Sequence, residues 1–170
     1  MLRELVARKD GKSMRVDREH QLYEKIARYM QQEHPNVVYR FDIAADLKLT
    51  KGQAAKFKRL HPERGYPDLF IASMVFKMPT DKERHHYQEK YGFEMGFANL
   101  MKDHLKCGLY LELKAEGNSP FKKDGTLKKD EHLAEQQAML EKLRKYGYEA
   151  KFATGFEEAK QIIDDYLSWI

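Results

Sequence analysis

Apolar positions along the chain alternate between helix-like and strand-like spacing, and the changes divide it into elements. Between Arg18 and Glu33, Leu22, Ile26, Tyr29 and Met30 recur at helical steps and share one face. Pro35-Asn36 ends that pattern, and the β-branched and aromatic run "NVVYRF" then reads as a strand. A short helix is predicted after Thr50, and the apolar run "PDLFIAS" follows as a strand that begins at a proline. Residues 75–106 form a long, charged, aromatic-rich connection with a helix expected across "YQEKYGFEMGFANLMKDHL". A helix from about Glu131 to Tyr146 has Asp130 as its N-cap and stops at Gly147. "YEAKFAT" reads as a strand with Tyr148, Ala150 and Phe152 on one face. The closing helix, from about Phe156, buries Ala159, Ile163, Tyr166, Leu167 and Ile170. The order is helix, three strands, helix, strand, helix, without an internal repeat. One α/β domain over residues 17–170 is expected, preceded by a polar arm over residues 1–16.

The stretch "GLYLELKAEG" is the sharpest strand. Leu109, Leu111 and Leu113 face one way, and Tyr110, Glu112 and Lys114 the other. An acid and a base therefore stand two residues apart on one face. That face is either wetted by solvent, where the pair contributes little, or part of a site.

Charge changes the picture slightly. A net charge of +4 and a pI near 9.0 permit a nucleic-acid partner without requiring one. Lys122, Lys123, Lys128 and Lys129 cluster around Asp124-Gly125, either as a solvated loop or as a phosphate-contacting one. The lone cysteine, Cys107, excludes an internal disulfide, suits a reducing compartment and is expected to be buried beside the leucine strand. No apolar run approaches the ~18 residues of a membrane span. The first residues lack the apolar core of a signal peptide, so a cytoplasmic chain is expected. His85 and His86 are adjacent rather than at helical ligand spacing, and no HExxH, Walker loop, GxGxxG or GxSxG occurs. The two histidines read as surface residues or, in a sharper reading, as part of a DNA-contacting insertion.

Three pieces remain that carry chemistry. Asp68 follows Pro67 at the start of a strand, Glu112 and Lys114 share a face of the next one, and Gln136 lies inside the apolar stripe of the following helix, between Leu140 and Leu143 around the helix. An amide in a core-facing stripe needs partners. Two carboxylates on neighbouring strands form a hard, oxygen-rich site suited to Mg²⁺ or Mn²⁺. Lys114 would orient a water or stabilise a charged transition state. Taken singly, Asp68 would only cap a turn and Gln136 would be a satisfied buried amide.

Taken in series, "GYPDLFIA", "GLYLELKAEG" and "EQQAMLEKLRKYGYEAKFATGFEEA" resemble the conserved blocks of the VRR-NUC nucleases, a branch of the PD-(D/E)XK superfamily, in their stand-alone bacterial and phage form. The resemblance covers roughly residues 18–167. It implies a restriction-endonuclease-like αβββαβ core, with a central mixed sheet flanked by helices, plus a C-terminal helix. It implies a Mg²⁺-dependent deoxyribonuclease, with Mn²⁺ as a substitute, that hydrolyses phosphodiester bonds. The implied substrate is branched, Holliday-junction-like DNA, the implied assembly a homodimer, and the implied location the bacterial cytoplasm, or the host's for a phage protein. Asp68, Glu112 and the Leu113 backbone carbonyl would ligate the metal, Lys114 would assist the water and Gln136 would support the site. The lysine loop would touch phosphate.

The superfamily often draws a further glutamate from its first helix. Glu19 falls on the same face as Leu22, Ile26 and Met30, whereas Glu24 points to solvent, so Glu19 is the candidate. Its plainer role would be to favour the helix N-terminus. Two other functions stay open: a catalytically silent nucleic-acid-binding protein, and an interaction module using the aromatic segment from Tyr87 to Phe97.

Overall fold

The computed structural model describes residues 18–42, 50–60 and 63–169. The expected arm over residues 1–16 and the expected burial of Ile170 lie outside them. The elements are α1 (Arg18–Glu33), β1 (Tyr39–Phe41), α2 (Lys51–Leu60), β2 (Leu69–Ile71), β3 (Val75–Phe76), α3 (Asp81–Tyr91), α4 (Phe93–His104), β4 (Leu105–Lys106), β5 (Leu109–Lys114), α5 (Glu131–Lys145), β6 (Glu149–Thr154) and α6 (Gly155–Leu167).

The main sheet has the order β1-β2-β5-β6. β1 and β2 pair antiparallel, as do β2 and β5, and β6 runs parallel to β5. The sheet is therefore mixed, and the parallel step is made through α5, as a crossover requires. One face of β5 is the leucine face, and it packs with Leu69 and Ile71 of β2 under Leu22, Ile26 and Met30 of α1 and Ala159 and Ile163 of α6. The other face carries Tyr110, which packs with Ala150 and Phe152 of β6 beneath Met139, Leu140 and Leu143 of α5. With both faces covered, five of the six β5 residues are buried, and the Glu112 face is not a solvated one.

Asp130 caps α5 as expected, its side chain accepting from the Leu133 N–H at 2.9 Å. The 75–106 connection differs from expectation. The single helix is broken into α3 and α4 at Gly92, whose φ of 75° lies outside the helical region and is open to a residue without Cβ. A Thr80–Glu83 capping box starts α3. The connection opens and closes with β3 and β4, which form their own antiparallel two-stranded sheet. No residue of α3 is buried, and His85 and His86 stand exposed on it, His85 beside Glu89 at 3.9 Å.

Cys107 is exposed rather than buried. It sits in the bend between β4 and β5, where its N–H donates to the Gly147 carbonyl at 3.0 Å, and the alternation that buries β5 starts only at Leu109. Among the described residues, no helix is long and apolar enough to cross a membrane.

Candidate active site

The pairing of β2 with β5 builds the site. Leu69 stands opposite Leu111, so the next step of the same antiparallel register places Asp68 beside Glu112. Asp68 is held there by its neighbour strand: its Oδ2 accepts the Leu113 N–H at 2.7 Å. Strand alternation sends both carboxylates to the α5 face. The turn before Asp68 is pinned to α5 by Gly65, which adopts φ 72°; a Cβ there would lie 2.8 Å from the Gln136 backbone nitrogen. This close approach fixes the distance between the Asp68 turn and the helix that carries Gln136.

Glu112 is the centre of the arrangement, with 2% of its surface exposed. Its Oε1 accepts from the Lys114 ammonium at 2.8 Å and from the Gln136 side-chain amide. The Gln136 amide nitrogen also lies 3.1 Å from Nε2 of His132, one turn earlier on α5. Glu112 is an acceptor, so the amide nitrogen must face it, and the second N–H of that nitrogen is directed at His132. Two atoms are left over: Glu112 Oε2 and Gln136 Oε1 are buried without a hydrogen-bond partner. A buried carboxylate oxygen without a donor costs stability unless something outside the chain meets it.

Burial above all, and then the Asp68 charge beside it, push the Glu112 carboxyl up to about 8. Burial also raises Asp68, against the opposing pull of the Leu113 N–H, a Tyr23 hydrogen bond and Lys114. The two adjacent carboxyl groups resist ionising together, because burial and each other's charge disfavour the ionised forms.

A cavity of about 550 Å³ opens over these groups. Its walls include Glu19, Asp68, Glu112, Leu113, Lys114 and Gln136, so the sequence-predicted catalytic set converges on one place. Glu19 is half-buried, and its charge acts on both Asp68 and Glu112. Glu24 instead points to solvent, between His20 at 3.5 Å and Arg28 at 3.6 Å.

The lysine loop is not brought into this cavity. Lys122, Lys123, Lys128 and Lys129 are exposed on a tight turn, closed by a Phe121–Leu127 bridge and by Asp124 accepting from the Thr126 N–H at 2.9 Å, and none of them lines the cavity. The cavity has wall residues that sequence reasoning missed: Tyr23, Lys58, Arg64, Tyr66 and His132. His132 was the most findable, because it precedes Gln136 by four residues on the same helical face.

Among the described residues, no group of three or more His, Cys, Asp or Glu side chains is arranged to hold a metal ion. Asp68 and Glu112, one of them with an unmet buried oxygen, are the adjacent carboxylates that could hold a hydrated divalent cation.

A similar fold occurs in a solved structure described as a "VRR_NUC domain protein". It superposes with a TM-score of 0.51 over 89% of this chain and 89% of that one, at 19% sequence identity. The fold is VRR-NUC-like. No family model matches the sequence, and no curated protein matches it. Within the VRR-NUC-like fold, the paired acids lie where the central strand β5 meets its antiparallel neighbour β2, at the end of the sheet nearest the first turn of α1.

Proposed function

We propose that the protein is a divalent-metal-dependent deoxyribonuclease that hydrolyses phosphodiester bonds in a PD-(D/E)XK-type site. The observation that carries this reading is the buried Glu112, flanked by Asp68 and contacted by Lys114 and Gln136, with one oxygen left unmet at a cavity wall. Asp68, Glu112 and the Leu113 carbonyl would hold Mg²⁺ or Mn²⁺. The bound ion would supply charge neutralisation at the phosphate and a water of lowered pKa. The chain's own groups do the rest. Lys114 places a compact positive charge where negative charge grows on the phosphorus-bound oxygens. The Gln136 amide holds Glu112 in one rotamer, and its unpaired Oε1 can accept a hydrogen bond from the attacking water. The water oxygen bonds to phosphorus as the bond from phosphorus to the leaving sugar oxygen breaks; one water proton ends on that sugar oxygen as a hydroxyl, and the other is released to solvent from the phosphate product.

A supercoiled plasmid incubated with and without Mg²⁺ tests the reading. Nicking that needs Mg²⁺ or Mn²⁺ and stops with chelator is expected; intact plasmid with either ion would overturn it. The intact acid and lysine set argues against a silent DNA-binding protein. The interaction-module reading has one observation in its favour, the exposure of Phe93, Met95 and Phe97 on α4.

Two parts of the proposal concern the substrate. Branched DNA and a homodimer follow from the resemblance to stand-alone VRR-NUC nucleases. A panel of duplex, flap and four-way substrates, with the mass of the protein in solution, tests both. Lys122, Lys123, Lys128 and Lys129 are proposed to meet DNA phosphates flanking the cut. Replacing all four by Ala is expected to weaken DNA binding and to reduce the slope of log K against log salt by about 0.9 for each phosphate that the loop neutralises. An unchanged slope would return the loop to solvent.

Glu19 is proposed as the third acid. Glu19→Gln is expected to slow cleavage about 10-fold or more, while Glu24→Gln, on the solvent side, leaves it unchanged. Equal rates for Glu19→Gln and wild type would leave Glu19 as a helix-start residue only.

A further inference from the structure

A second, smaller cavity adjoins the acidic one. It has about 270 Å³, shares Asp42 and Tyr66 with the larger cavity, and is completed by Arg40, Pro67, Phe70 and Tyr110. Its floor follows from the sheet register. Arg40 on β1 stands opposite Phe70 on β2, which stands opposite Tyr110 on β5. The three side chains therefore form a row on the α5 face of the sheet, two residues along the strands from the Asp68–Glu112 pair.

The row is built of flat faces. Phe70 and Tyr110 stack with ring centroids 4.5 Å apart and 24° between planes. Tyr66 meets Tyr110 edge-on at 5.6 Å, and their hydroxyls lie 3.0 Å apart. Packing under α5 accounts for Tyr110 and, in part, for Phe70. It does not account for Tyr66, which is 46% exposed and lines both cavities, or for Arg40, which is exposed at the β1 end of the row.

Aromatic walls, two hydroxyls able to donate or accept, and a guanidinium at the rim are the components with which proteins hold a base taken out of its stack. At about 270 Å³ the cavity is large enough for one such base. It opens beside the cavity where a phosphate would be cut, and consecutive groups of one strand are a phosphate and its nucleoside.

We propose that the second cavity receives one unpaired nucleobase of the DNA strand whose neighbouring phosphate lies in the acidic cavity. The inference rests on the nuclease reading for that phosphate and adds to it a substrate class: DNA with an unpaired nucleotide at the cut. Tyr66 supplies the face on which the base rests, and Arg40 closes the outer side.

The test measures binding without cleavage, in chelator. A duplex with a single bulged 2-aminopurine is compared with the same duplex fully paired, using the wild-type protein and Tyr66→Leu, Tyr66→Phe and Arg40→Ala variants. The wild type is expected to bind the bulged duplex about 10-fold or more tightly than the paired one, and to change the 2-aminopurine emission, as stacking on an aromatic face implies. Tyr66→Leu and Arg40→Ala should reduce that ratio toward one, and Tyr66→Phe should retain it. Arg40 is exposed, so its variant keeps the test decisive should Tyr66→Leu fail to fold.

Equal binding of bulged and paired duplexes by the wild type would overturn the proposal. So would a weakening that is the same for both duplexes in the variants. Tight binding of a free deoxynucleoside monophosphate, equal to that of the bulged strand, would assign the cavity to mononucleotides and overturn it as well. Failure of plasmid nicking, by contrast, leaves this binding preference intact and counts against the nuclease reading alone.

Discussion

Asp68→Asn and Glu112→Gln are each expected to lower the cleavage rate by at least about 10²–10³-fold, with the folded structure retained. Either change removes one of the two carboxylates on which the proposed cation depends. The variants differ in the metal-free protein. Asp68→Asn keeps an oxygen to accept the Leu113 N–H and removes the charge that opposes Glu112, while the Glu112–Lys114 hydrogen bond at 2.8 Å survives. Its melting temperature in chelator should rise, by ~3 °C for each kcal/mol recovered. Glu112→Gln leaves the Lys114 ammonium without its anion, so the gain there is smaller.

The pH dependence has a definite sign. In the folded protein, burial and the Asp68 charge raise the Glu112 carboxyl from its ordinary 4.5 to about 8. Between those values the folded state holds a proton that the unfolded chain has released. The stability from this group is fully present below the unfolded value and is lost as pH rises through the folded one. Wild-type melting in chelator should therefore fall from about pH 5 to about pH 8, and Asp68→Asn should flatten the fall. Mg²⁺ at the upper end should restore melting, since it binds only the folded site. Full activity in either variant, or the same melting slope in Asp68→Asn and wild type, would remove these acids from the site.

The parts of the site that were legible in the sequence are those fixed by strict periodicity. Strand alternation put Glu112 and Lys114 together, and helical spacing put Gln136 and Glu19 on inward faces, because those periods are set by backbone geometry over a few residues. The pairing of Asp68 with Glu112 is non-local. It was legible only through the serial order of motifs, since 43 residues separate the two and nothing local sets their register.

Three things were less legible. Gly92 splits the helix expected over the long connection, because the segment's charge and aromatic content mask the apolar period and a positive φ is not written in hydrophobicity. Cys107 abuts an apolar strand, which points to burial, but the bend before Leu109 breaks the alternation there and leaves it exposed. Tyr66 and Arg40 carried no signal of their own; they meet only through cross-strand register and the turn at Gly65.

Lys114→Ala is expected to lower kcat by about 10²–10³-fold while leaving the affinity for Mg²⁺ unreduced. The side chain is largely buried, and its ammonium donates to Glu112 Oε1 at 2.8 Å, so in the free protein it acts as the local cation beside a carboxylate that burial makes reluctant to ionise. It donates and does not ligate. Removing it withdraws a competitor for Glu112, and calorimetric titration should find metal binding equal to wild type or tighter. What disappears is a fixed positive charge at the cavity wall, where, on the proposed reading, the attacking water and the phosphate oxygens would meet. Lys114→Arg should not restore the rate: a planar guanidinium is longer and forked, and cannot direct its charge at the same point between Glu112 and the phosphate. The decisive comparison is between the two effects. Activity should collapse while metal affinity holds; a fall in Mg²⁺ affinity as large as the fall in kcat would make Lys114 a support of the carboxylate site rather than a group acting on the reacting atoms.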